Sequence, residues 1–286
     1  MCILKNKIDF AVLVTVNNAN PNGDPLNGNR PRTTYTGKGE ISDVCIKRKI
    51  RNRLQDLGEN IFVQSSDRTD DGYKSLSERA SGEIKDYSNN DEYAKKACEK
   101  WFDVRAFGQV FAYKKSKDND KSSVSVGVRG PVTIHQAASI DAVDINTMQI
   151  TKSVNSEPTE TGKKSSDTMG SKHMVQFGLY VIKGSINVQL AEKTGFTEDD
   201  AEKIKECFRT LFINDCSSAR PDGSMEVQKI YWWKHNCKDG QYSSKKIHDS
   251  LKITVKEGVK CPESFDDYDI KLENFDDLIP EEINGI

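Results

Sequence analysis

The order in which apolar periods follow one another constrains this chain most. A strand-like run, Ile8–Val16, comes first. A helical stripe follows with Ile46, Ile50, Leu54 and Leu57 at i, i+4, i+8 and i+11. Strand runs come next at Val124–Thr133, continuing to about Ile140, and at Met174–Leu190. Thr197-Glu198-Asp199-Asp200 then reads as a capping box, opening a helix with Ala201, Ile204, Cys207, Phe208, Leu211 and Phe212 on one face. Met225–Lys234 and His248–Lys256 close the pattern as strands. Read through two interruptions, at about 58–123 and 141–172, the order is β-α-β-β-α-β, which predicts an α+β fold of the ferredoxin-like, split-βαβ kind.

Between the first strand and the first helix lies Asn20-Pro21-Asn22-Gly23-Asp24-Pro25-Leu26-Asn27-Gly28-Asn29-Arg30-Pro31-Arg32. Asn-Gly and Asp-Pro steps are turn chemistry in their own right. Beside a helix with a cationic flank, the same loop can also form a crib for a phosphate backbone, with amides below and Lys/Arg beside. Ser42 is placed to cap that helix. At 100° per residue, Lys47, Arg48 and Arg51 fall about 100–200° from Ile46, on one flank of its stripe, with Lys49 and Arg53 on the other. Residues 30–53 hold eight Lys/Arg against Glu40 and Asp43, a net of +6, whereas residues 257–286 hold ten Asp/Glu against two Lys, a net of −8. A total charge of −2 thus hides a basic N-terminal surface and an acidic C-terminal segment.

With 286 residues the chain can bury a sizeable core, yet a mean hydropathy of −0.68 points to long solvated insertions or a large polar binding surface. No run approaches the roughly 18 apolar residues of a membrane span, and the first five residues do not open a secretory signal, so a cytoplasmic protein without membrane partners is expected. Seven scattered cysteines with no C-x-x-C pair argue against a disulfide framework or a zinc site. The calcium-loop pattern fails, because Pro25 and Pro31 stand where Gly and Glu belong. No phosphate loop, nucleophile elbow or H-E-x-x-H occurs, so neither a metal, a cofactor nor catalysis is expected. Of the four histidines (135, 173, 235, 248), only His173 lies in a basic, glycine-containing context, which reads as a phosphate or sugar contact before proton transfer. Tyr231-Trp232-Trp233 is either a base-stacking platform or core packing; in a strand of alternating facing, one Trp would point inward and one outward. RNA-recognition-motif proteins share the element order, but the aromatic RNP1 pattern is absent. Binding of nucleic acid would therefore use its backbone and the insertions.

Several longer motifs add a resemblance. Asn-Pro-Asn-Gly-Asp-Pro (20–25), Arg-Pro-Arg (30–32), Ser-Asp-Val-Cys-Ile-Lys-Arg-Lys-Ile-Arg (42–51), Phe-Asp-Val-Arg-Ala-Phe-Gly (102–108), Gly-Val-Arg-Gly-Pro-Val (127–132), Gln-Ile-Thr-Lys-Ser-Val-Asn (149–155), Ser-Asp-Thr-Met-Gly-Ser-Lys-His (166–173) and Ser-Ser-Ala-Arg-Pro-Asp-Gly-Ser-Met (217–225) occur in order. The set resembles the CRISPR-associated backbone subunit of type I-C Cascade, a Csd-type member of the Cas-seven group of RAMP proteins. It covers residues 8 to about 256; the stretches 64–97 and 114–123 and the acidic tail carry no part of it. The resemblance implies a modified RNA-recognition-motif palm (1–57, 124–140, 174–256), a helical fingers insertion (58–123), a β-hairpin thumb (141–173) and an acidic segment (257–286). It also implies a non-nuclease that lines up head to tail with copies of itself along a CRISPR RNA, beside other Cascade subunits and target DNA. On that view Asn20, Asn22, Arg30, Arg32, Lys47, Arg48, Arg51 and Arg129 meet the RNA backbone. The thumb supplies Met148 and Ile150 as an apolar wedge, with Lys152, Ser153, Asn155, Lys172 and His173 around it. The alternative is a metal-independent endoribonuclease that processes CRISPR precursor RNA, with His173 or His135 as general base.

Overall fold

The computed structural model describes residues 2–113, 124–151 and 169–286. Its centre is an antiparallel sheet around β1 (Ile8–Ala19), which pairs with β10 (Met169–Ile186) on one side and β11 (Met225–Lys234) on the other. Beyond β11 lies β14 (Glu281–Asn284); beyond β10 lie β8 (Ala137–Ala142) and then β4 (Lys38–Ile41). Two more strands, β7 (Val132–Ile134) and β9 (Ile145–Thr151), also pair with β10. Every residue from Ile8 to Val16 is buried because both sheet faces are covered. Phe10, Val12, Val14 and Val16 pack under α1 (Asp43–Asp56) and α6 (Glu198–Arg209), against Ile46, Ile50, Leu54, Ile204 and Phe208. Ala11 and Leu13 face the opposite way, into a second layer. A strand covered on both faces has no polar side to show, hence the unbroken apolar run Phe10–Val14 at its centre.

That second layer departs from the sequence reading. Residues 244–250 form a helix, α7 (Ser244–Ser250), and β12 (Leu251–Val255) leaves the central sheet to pair with β13 (Tyr268–Leu272). Together with Leu278 they cover Leu179, Val181, Tyr231 and Trp233. The acidic tail therefore packs on the sheet through β13 and extends its edge through β14, where Lys205 pairs with Glu281 and Lys229 with Glu282. Both tryptophans of the pair are buried, Trp232 beneath the helices and Trp233 beneath the second layer. Alternation does send them to opposite faces; neither face is open to a base.

The run expected as one strand from Val124 to Ile140 is divided. β6 (Val124–Arg129) pairs instead with β5 (Gly108–Tyr113), and the central sheet begins again at Val132. Gly130 and Gly108 cross so closely that a Cβ on Gly130 would stand 2.3 Å from the Ala106 carbonyl oxygen. Pro131 has no N–H for a ladder, so the strand breaks there. The polar excursion after α1 holds α2 (Leu76–Glu83), α3 (Asn90–Lys100) and α4 (Phe102–Phe107) around a core of its own: Phe62, Tyr93, Trp101, Val104 and Phe111. Side chains of Asn89 and Ser75 cap two of these helices, which is how so polar a stretch yields helix at all. A short helix, α5 (Val188–Thr194), replaces the end of the strand expected to reach Leu190. The box of Thr197 and Asp200 caps α6 in both directions. No described helix is long and apolar enough to cross a membrane.

Candidate nucleic-acid interface

The Asn/Gly loop is a small built object. β2 (Gly23–Asp24) and β3 (Arg30–Pro31) form a two-stranded ribbon whose tip turns through Gly28 (φ 57°) and Asn29 (φ 62°), left-handed conformations that Gly and Asn tolerate. Asp24 caps the tip by accepting from Leu26 N–H at 3.2 Å. Asn20 is buried and donates Nδ2–H to the Asn29 carbonyl at 2.7 Å. Asn22 Oδ1 accepts from the Ser42 amide (2.9 Å) and hydroxyl (2.8 Å), while Ser42 Oγ accepts from Cys45 N–H to cap α1. The two asparagines thus hold the ribbon against the helix start. Arg32 pairs with Asp24 at 3.4 Å.

β10 runs past the core, so that Met169–Val175 pairs with β9 as a hairpin arm. Direct partners across an antiparallel pair share a face. Thr147 and His173 are one such pair, Met148 and Lys172 the next, Ile150 and Gly170 another. On the first face Arg30 reaches over from the ribbon: its Nη1–H donates to Thr147 Oγ1 at 3.2 Å and lies 3.4 Å from His173 Nδ1, which stands 3.0 Å from Thr147 Oγ1. The opposite face shows Met148 (41% exposed) and Ile150 (50%) beside Lys172. Two sites predicted 143 residues apart, Arg30 and His173, therefore form one cluster at the foot of the arm. Lys152, Ser153 and Asn155 lie outside the described residues. Arg129 ends β6, exposed, within the helical insertion.

The cations of α1 do different work. Arg51 Nε–H donates to the buried Asp103 at 2.8 Å and its guanidinium lies over the Phe107 ring. Arg48 donates to the Val63 carbonyl at 2.6 Å; burial and the nearby Arg51 hold its pKa below the ordinary value. Lys47 pairs with Asp43 at 3.0 Å, and the buried Lys49 pairs with Asp215; burial pulls its pKa down although that carboxylate pushes it up. Asp103 also accepts from Phe62 N–H (2.7 Å) and Val63 N–H (3.1 Å), so Arg48, Arg51 and Asp103 bind the insertion onto the helix. His135 meets the ring of His248 edge-on rather than joining the Arg30–Thr147–His173 cluster. Thr147, which completes the Arg30–His173 cluster, carried no signal of its own: it is visible only once the hairpin register is known.

The family model described as CRISPR-associated protein Cas7 matches residues 6–273. A protein of Haloferax volcanii named CRISPR-associated protein Cas7 is 26% identical over 219 residues, covering 72% of this chain; the chain spans 64% of that relative's length. Among solved structures, a chain of a CRISPR RNA-guided surveillance complex, pre-nicking, aligns over 83% of this chain and 81% of its own, with a TM-score of 0.50 and 16% identity. A chain of a second CRISPR RNA-guided surveillance complex aligns over 79% and 68%, with a TM-score of 0.45 and 18% identity.

Proposed function

The chain belongs to the CRISPR-associated Cas7 family, and from that membership we propose that it is a CRISPR RNA-binding backbone subunit of a type I-C Cascade complex. It grips the guide without reading its sequence, stacks head to tail with further copies, and supports target DNA recognition beside other subunits. It holds RNA rather than cutting it. The helix-covered sheet is its RNA-recognition-motif-like palm, a reading supported by the order β1, α1, β7–β8, β10, α6, β11. The helical insertion is read as fingers and the β9–β10 arm as the thumb.

One observation carries the proposal: the ribbon and the arm converge in the Arg30–Thr147–His173 cluster. On it, a guanidinium and an imidazole are held by their neighbours at the foot of an arm whose other face bears exposed Met148 and Ile150. That is a backbone grip next to a wedge, and base edges need not be touched. Lys172, opposite Met148, adds a cation on the wedge face. Arg48 and Arg51 are engaged inside the chain, so the phosphate contacts are assigned first to Arg30, Lys172 and His173. Titrating protein against single-stranded guides of unrelated sequence tests this. Equal affinities are expected, and Arg30→Ala together with Lys172→Ala should lower the log-affinity against log-salt slope by about 0.7 for each phosphate no longer neutralised. Affinity that depends on guide sequence, or an unchanged slope, would refute it.

A further inference from the structure

We propose that Tyr35 is a stacking platform for one nucleobase of the bound RNA strand, an inference that rests on the RNA-binding reading above. Thr34-Tyr35-Thr36-Gly37 is a β-turn, with Gly37 N–H donating to the Thr34 carbonyl at 3.0 Å and Gly37 at φ 80°. It is braced from four sides. Thr34 N–H donates to Lys38 O at 2.8 Å, Lys38 N–H to Thr34 Oγ1 at 3.1 Å, and the Thr34 and Thr36 hydroxyls meet at 2.8 Å. Val143 N–H donates to Gly37 O at 3.0 Å. At the tip of this fixed turn the Tyr35 side chain is wholly exposed.

Among the described residues no side chain packs on that ring, which is fully exposed, and its turn position accepts most residues. A rigid aromatic with two torsions, presented on a braced turn, loses little entropy when a flat partner covers it. Its surroundings select the partner. Thr33, Thr34 and Thr36 make no apolar patch of the kind a protein hot spot needs, whereas Lys38 flanks the turn with positive charge, Arg32 being paired with Asp24. Among the described residues the Lys38 ammonium meets no carboxylate. An open ring beside a cation is how single-stranded nucleic acid is held irrespective of sequence. The location agrees: through Val143 the turn is pinned to the root of the β9–β10 arm, two residues before β9 begins. The turn that carries the ring is therefore tied to the root of the arm that bears Met148 and Ile150.

The test uses the full chain and a short single-stranded RNA with 2-aminopurine at successive positions. Wild type is expected to quench the fluorophore at a stacked position. Tyr35→Ala should bind about 5- to 150-fold more weakly and abolish that quenching. Tyr35→Phe and Tyr35→Trp should retain both, and the salt slope of Tyr35→Ala should equal that of wild type, since removing a stack releases no counterion. Because the ring is fully exposed among the described residues, all three variants should melt as wild type does. Unchanged affinity and quenching in Tyr35→Ala would overturn the inference while leaving the RNA-binding reading intact. Unchanged affinity with loss of multi-copy assembly on long RNA would assign the ring to a protein contact and overturn it as well. A wild-type chain that binds no RNA would overturn both.

Discussion

Removing the Asp103 carboxylate should unfasten the helical insertion from α1. This side chain is 1% exposed and accepts three hydrogen bonds, from Phe62 N–H, Val63 N–H and Arg51 Nε–H. Asp103→Ala strands two amides and a guanidinium in a place water reaches poorly. Breaking a buried pair from one side costs about 3–5 kcal/mol, and each orphaned donor about 1–3. These overlap, so about 4 kcal/mol is expected. Arg51→Ala leaves the carboxylate its two amides and should cost about 2–3 kcal/mol, including about 0.5–1 for the contact over Phe107. The double variant should fall short of the sum by at least about 1 kcal/mol, because the partners are in contact. Denaturant unfolding followed by tryptophan fluorescence measures this, since Trp101 packs on Phe62 at 4.6 Å between ring centroids while Trp232 and Trp233 report the sheet. The same titration separates architecture from binding: Arg51→Ala should weaken folding without altering the RNA salt slope. A loss below about 1 kcal/mol in Asp103→Ala, or additive single effects, would refute the reasoning.

Burial keeps the His248 imidazole neutral and its pKa below the ordinary 6.5, with Nε2–H donating to the Gly184 carbonyl at 3.1 Å. The unfolded chain takes up that proton first, so stability should fall as pH drops through about 6.5, and His248→Gln should flatten that part of the curve in pH-dependent denaturation. Met148→Asp with Ile150→Asp should leave thermal stability within about 0.5 kcal/mol, both side chains being exposed, yet erase evenly spaced reactivity in RNA footprints; a preserved footprint would place the wedge elsewhere. Incubation with repeat RNA should leave it intact for wild type and His173→Ala alike, whereas site-specific cutting abolished in His173→Ala would favour the endoribonuclease. Truncation before Ile279 removes β14 and bares the edge of β11, so concentration-dependent association should rise by light scattering.

Periodicity made the sheet and its two long helices legible: Ile46, Ile50 and Leu54 and the capping box of Thr197 and Asp200 sit where their spacing put them. It could not show the second layer or the last edge strand, because β13 and β14 are only five and four residues long and lie within an acidic segment. The basic window misled in a physical way. Counting Lys and Arg within 30–53 sees Glu40 and Asp43, but not Asp103, 52 residues from Arg51, nor Asp215, 166 residues from Lys49. Net charge in a window is a statement about surface only when no distant carboxylate folds back onto it. For the candidate site the reverse holds. Arg30 and His173 each stand out by local context, while their meeting depends on hairpin register, which no local pattern encodes. Tyr35, in a turn of threonines, gave no signal at all; its exposure is a property of the fold.

As a backbone subunit this chain is expected to carry a CRISPR guide. Isolating the protein from cells that hold a CRISPR array, extracting its nucleic acid and sequencing it tests that directly. Small RNAs bearing repeat sequence joined to many different spacers are expected, protected at a regular interval and diminished when Arg30 and Lys172 are both replaced by Ala. Protein that emerges free of RNA, or with RNA lacking repeats and spacers, would contradict it.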